Sequence, residues 1–124
     1  MGLDMYAFST KAKPSSEVDF STKNFEQEEL HYWRKHPNLH GWMQSLYESK
    51  GGDPNSDFNG DCVVLDNEDL DNLEEDIKNG NLPDTSGFFF GNTQGDEDED
   101  DLEFVRKARE AIKNGKTVYY TSWW

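Results

Sequence analysis

Arg34, Lys35, His36 and His40 lie within seven positions of one another around Pro37, and two indoles, Trp33 and Trp42, flank the same stretch. Cations beside a helix start suit an anion, because the first amides of a helix lack intrahelical acceptors and carry partial positive charge. The surrounding spacing reads as helix. Leu30 and Trp33 recur at i and i+3, then Leu39, Trp42, Met43 and Leu46 at i, i+3, i+4 and i+7. Pro37 has no amide proton and disfavours helical backbone at His36. One helix is therefore predicted over about 28–35 and a second over about 39–49, with Asn38 as the second's cap. Asp4 on an opening strand is placed to orient Arg34 or His40, and the aromatic rings offer stacking. The expected ligand site is thus Asp4, Tyr6, Trp33, Arg34, Lys35, His40 and Trp42, suited to a phosphate, carboxylate or nucleotide. The competing reading pairs Arg34 with Asp4 internally and gives the aromatics to the core.

Other chemistry has weaker support. Asn55, Asp57, Asn59, Gly60, Asp61 and Asp66 fall at positions 1, 3, 5, 6, 7 and 12 of an EF-hand-like register. Position 12 is a short Asp, Gly51, Gly52 and Pro54 break the helix that should lead in, and Cys62–Leu65 favours strand. Asp57 and Asp61 remain as weak cation candidates, and no metal site is expected. The His36–His40 spacing would suit zinc on an unbroken helix, but Pro37 lies between them. A single cysteine, Cys62, excludes an internal disulfide and a Cys-based zinc site within one chain. No P-loop, nucleophile elbow, dinucleotide turn or HExxH occurs, so no cofactor is expected and the balance leans against an enzyme.

The net charge of −14 is unevenly placed. Residues 51–103 hold 18 acids and one base, whereas 104–124 hold one acid and five bases. Phosphate backbones need a basic footprint, so direct nucleic-acid binding is disfavoured; a basic protein partner or another copy of the chain is compatible. Ordered carboxylates on one face would also permit mimicry of DNA phosphates, against the plainer reading of Asp96–Asp101 as a solvated run ahead of a helix. No apolar run approaches the roughly 20 residues of a membrane span, and the N-terminus has no signal-peptide pattern, so a cytoplasmic location is expected.

Leu, Ile, Val and Phe number 24 of 124, few for a fold at this charge, but 17 aromatics can fill a core. The whole chain, 1–124, reads as one α+β domain. Three mainly antiparallel strands are expected at about 2–8, 62–65 and 117–123, with helices at about 28–35, 39–49, 67–79 and 100–114 on one face. Residues 9–24, 51–61 and 92–100 are expected as loops, and Gly87–Gly91, GFFFG, as an aromatic corner.

Several motifs occur in one order: MGLDMY at Met1–Tyr6, ELxYWRK at Glu29–Lys35, LPxxSGFFFG at Leu82–Gly91 and YYxSWW at Tyr119–Trp124. Together they resemble a family of small uncharacterised phage and bacterial proteins. The resemblance implies a phage origin, hence a host-cell cytoplasm, and no particular activity; with no enzyme motif in the chain, a non-enzymatic binding or regulatory module is expected, against a small-ligand or enzymatic role centred on Asp4, Arg34 and His40. The acidic tract and the turn-rich 51–61 stand outside that pattern.

Overall fold

The computed structural model describes residues 3–14, 16–18, 20, 26–34, 36–55, 58–83 and 98–123. They form strands β1 (Asp4–Thr10) and β2 (Gln27–Arg34), helix α1 (Pro37–Ser49), strand β3 (Cys62–Leu65), helices α2 (Asn67–Lys78) and α3 (Asp98–Lys113), and strand β4 (Thr117–Trp123). The strands make one antiparallel sheet in the order β2-β1-β4-β3. The α+β class stands. The sheet has four strands rather than the expected three, because the segment expected as a helix at about 28–35 is β2.

A β-bulge explains that difference. Ala7 pairs with His31 and Phe8 with Glu29, so Leu30 is an extra residue in β2. A bulge reverses the in-out alternation on one side of itself. Leu30 and Trp33 therefore both pack on the core although they stand an odd number of positions, three, apart. An i, i+3 apolar pair in the sequence is here the signature of a bulged strand, and the aromatic pair Tyr32–Trp33 suits a strand on propensity.

The helices cover one face of the sheet. Met5, Ala7, Trp33, Val63, Leu65, Val118 and Tyr120 point from the sheet into a core completed by Leu39, Met43 and Tyr47 of α1, Leu70, Leu73 and Ile77 of α2, and Phe104, Val105 and Ala108 of α3. On the opposite face Phe20 seats edge-on against Tyr119, ring centroids 5.2 Å apart, with Cys62, Phe8 and Val64 around them. Burial there pushes the Tyr119 hydroxyl up to about 12, and it donates to Gln27 Oε1 across the sheet. The stretch expected as a loop at 9–24 carries the end of β1 and a bridge from Val18 to Val63 on the outer edge of β3.

Local chemistry sets the ends. Pro37 sits in the first turn of α1, where its missing amide costs nothing, and His36 rather than Asn38 is the cap residue. Asp66 and Asp69 form a reciprocal capping box at the start of α2, each carboxylate accepting the other's backbone amide at 2.9 Å. Lys50 Nζ reaches that box from the end of α1, donating to Asp69 Oδ2 and to the Val64 carbonyl. Past α3, Gly115 adopts φ +82°, and Lys116 N returns to the Ala111 carbonyl at 3.0 Å before β4 begins.

Gly52 is required for a different reason. A β-carbon there would lie 2.4–2.5 Å from ring atoms of the buried Tyr47, whose carbonyl accepts the Gly52 amide. Gly52→Ala is expected to lower stability by about 2 kcal/mol through overpacking, read as a fall in the urea midpoint at unchanged slope.

Candidate functional site

The described residues expected to share a ligand site separate into four places. Asp4, Tyr6 and Arg34 come together on the outer sheet face, where Asp4 pairs with Arg34 on one side and Trp123 on the other. Tyr6 lies in the next row, between Tyr32 and Thr121. Asp4 Oδ1 accepts from the Tyr32 hydroxyl at 2.7 Å, with Arg34 Nε 3.7 Å away. That bond to Asp4 raises the Tyr32 pKa above its ordinary value, since the phenolate would face the carboxylate. The Tyr6 ring lies 5.2 Å from Tyr32 and 5.9 Å from Phe8. Trp123 is 68 % exposed and Tyr32 44 % exposed, the two large apolar side chains most open to solvent among the described residues.

Trp33 and His36 face the other way, into the helical layer, and a carboxyl group is already there. Asp101, with no exposed surface, accepts from Trp33 Nε1 at 3.0 Å on one oxygen and meets His36 Nε2 at 2.8 Å on the other. The first turn of α3 thus fills the break at Pro37 with the chain's own carboxylate. One residue earlier, Asp100 Oδ2 lies 2.9 Å from the buried His31 Nε2. That is ion-pair distance without hydrogen-bond geometry. Lys35 lies outside the described residues.

His40 and Trp42 occupy separate surroundings on α1. His40 Nδ1 is 2.7 Å from the Tyr120 hydroxyl, and its ring lies over Phe58, centroids 5.1 Å apart. Burial lowers the His40 pKa to about 4, and burial raises that of Tyr120 well above its usual value. A neutral imidazole sharing a hydrogen bond with a protonated phenol follows. Trp42 Nε1 donates to Asp76 Oδ2 at 2.8 Å and lines a shallow groove between α1 and α2 with Leu46, Glu75 and Pro83.

The acidic middle is partly committed to internal partners. Arg109 of α3 binds Glu74 at 3.0 Å and Asp71 at 2.6 Å on α2, and its guanidinium holds the Glu74 carboxyl below its ordinary range. Asp69, Asp76 and Asp101 are bonded as described, so fewer carboxylates stand free than the count suggests. Asp61 precedes β3, its carbonyl accepting from Thr121 Oγ1 at 2.9 Å. Asp66, the last position of the calcium-like register, is taken up by the capping box. Asp57, Asp96, GFFFG and Trp124 lie outside the described residues. Among those described, no group of three or more His, Cys, Asp or Glu could hold a metal, and no helix is long and apolar enough to cross a membrane.

Sequence reasoning did not single out Tyr32 as more than a stacking ring, and it placed Asp101 in solvent. The available signal was position: Asp101, Phe104, Val105 and Ala108 share one helical face, so an acid on an apolar stripe marked an inward carboxylate. No protein-family model, curated protein or solved structure matches the chain.

Two measurements check this account. Asp101→Ala removes the acceptor of the buried Trp33 Nε1 and the carboxylate facing His36 Nε2 and is expected to cost about 3 kcal/mol or more in urea unfolding, whereas Asp101→Asn recovers most of it. For His40, the folded pKa lies below the unfolded value of about 6.5, so the unfolded chain binds more protons between the two. Its contribution is full above about pH 6.5 and is lost as the pH falls towards 4. Between about pH 7 and about pH 4 the native chain should lose about 3 kcal/mol more than His40→Gln.

Proposed function

We propose that this chain is a non-enzymatic binding module that docks a protein through the open half of its sheet. The observation that carries this is the exposure of Trp123 and Tyr32 on the same face, beside Tyr6 and the Asp4–Arg34 pair. Trp, Tyr and Arg are the side chains that most often dominate binding energy at protein interfaces, and large exposed aromatics otherwise cost solubility. The net charge of −14 selects a partner with a basic surface, by steering its approach. A regulatory role in a phage-infected host cytoplasm belongs to the same proposal, the phage origin alone resting on the motif resemblance. The alternative, a phosphate or nucleotide site at the 34–40 break, is disfavoured by the Asp101 carboxylate held there.

A photo-cross-linking phenylalanine analogue at position 123, irradiated in lysate of the source cells, should give a discrete adduct, and the same probe at Glu75 should not. Unlabelled native chain should compete for the adduct at least about tenfold better than the Tyr32→Ala, Arg34→Ala double variant. Absence of an adduct, or equal competition by the two chains, overturns the reading.

A further inference from the structure

A second site lies on the helical side of the sheet. Beneath the C-terminal half of α3 is a cleft of about 230 Å³ lined by Ser9, Glu28, Leu30, Lys107, Glu110 and Lys116 among others. A neighbouring cleft of about 320 Å³ shares Ser9, Glu28 and Lys116 with it. Ser9 is 2 % exposed, and its hydroxyl has no hydrogen-bond partner among the described residues. Buried hydroxyls are ordinarily bonded, so an orphan oxygen just beneath the floor of two clefts is a group that a ligand can satisfy after a small shift of the side chains above it.

The bulge at Leu30 builds the opposite wall. By reversing the alternation in β2 it sets Glu28 directly across from Ser9, and Glu28 lines the cleft with α3 instead of joining the outer face. Among the described residues, Lys107 Nζ makes two long contacts, 3.3 Å to the Leu30 carbonyl and 3.5 Å to His31 Nδ1. Lys116 Nζ lies 3.5 Å from Glu28 Oε2. Arg106 is already engaged by Glu103.

We propose that this cleft binds a small zwitterion of the α-amino-acid class, its carboxylate at Lys107 and the Ser9 hydroxyl and its ammonium at Glu28. Cationic and anionic groups line the same small space, which matches a ligand carrying both signs. A chain at −14 repels a simple anion, whereas a net-neutral ligand approaches without that barrier. The volume falls below the roughly 300–1,000 Å³ usual for drug-sized ligands, and Leu30 and Ala111 leave room for a short apolar side chain. The proposal is independent of docking on the outer face.

The test titrates the full ¹⁵N-labelled chain with glycine, L-alanine, L-glutamate and L-lysine, each to about 10 mM, enough to populate a millimolar site. Acetate and methylammonium serve as probes carrying half of the ligand's charge. At least one amino acid should shift the amides of Ser9, Glu28, Leu30, Lys107 and Ala111 saturably, and neither half-probe should. Ser9→Ala and Glu28→Gln should each weaken binding about tenfold with the rest of the amide spectrum unchanged. Glu28 stands on an open edge strand, so its variant keeps the test alive if Ser9→Ala disturbs folding. No saturable shift from any amino acid, an equal response to acetate, or unchanged affinity in Glu28→Gln would overturn the proposal.

Discussion

The buried carboxylate of Asp101 is the interaction from which the arrangement of this chain follows. An ionised acid removed from water is tolerated only when donors replace its hydration. Here they come from two elements: the indole of Trp33 on the edge strand and the imidazole of His36 at the cap of α1. One side chain therefore joins the start of α3 to the corner where β2 gives way to α1. That join sets how α3 crosses the sheet. It also places Asp100 at ion-pair distance from His31, and it brings Lys107, two turns further on, to the carbonyl of the bulge residue Leu30. The position of the cleft beneath α3 is a consequence of where Asp101 is anchored.

The class of fold, β3, β4, and helices α2 and α3 were legible in the sequence because each has a local signal. Asp66 caps a clean apolar stripe in α2, Gly115 stops α3, and TVYYTSW is β-branched and aromatic. The opening strand was legible too, though it runs to Thr10. What failed was β2, and the reason is specific: one inserted residue gives apolar positions a helical separation while the backbone stays extended. Periodicity measures spacing along the chain and cannot distinguish a helical turn from a bulge when only two apolar positions are available.

The site was less legible than the fold because its contacts are distant in sequence. His40 meets Tyr120 across 80 residues and Trp33 meets Asp101 across 68. Nearness in the chain grouped Trp33, Arg34, His40 and Trp42; the strand alternation sends Trp33 inward and Arg34 outward, and α1 turns His40 to the core and Trp42 to α2. Of the expected site, the grouping of Asp4 and Tyr6 with Arg34 survives folding, because they lie on adjacent strands in register, with Asp4 directly opposite Arg34. Asp4 with Arg34 is the internal ion pair offered as the plainer reading, and in the fold it borders the open face.

The two faces of the sheet carry different burdens. The inner face is closed by three helices, and half of the outer face is closed by Phe20 over Tyr119 and Cys62. The remaining half keeps an aromatic surface in water, with Trp123 lying over Gly60, where a β-carbon would come within 3.5 Å of its ring. Such a surface invites self-association, and the edge strand beside it would compound the hazard by offering unpaired backbone groups. Charge opposes both. Glu28 and Glu29 stand on the edge strand, and −14 over the whole chain makes two copies repel before their aromatic faces meet. The same field attracts a basic surface. An acidic chain with an aromatic face is thus biased against its own copy and towards a partner of opposite sign, which gives the lopsided composition a physical use beyond solubility.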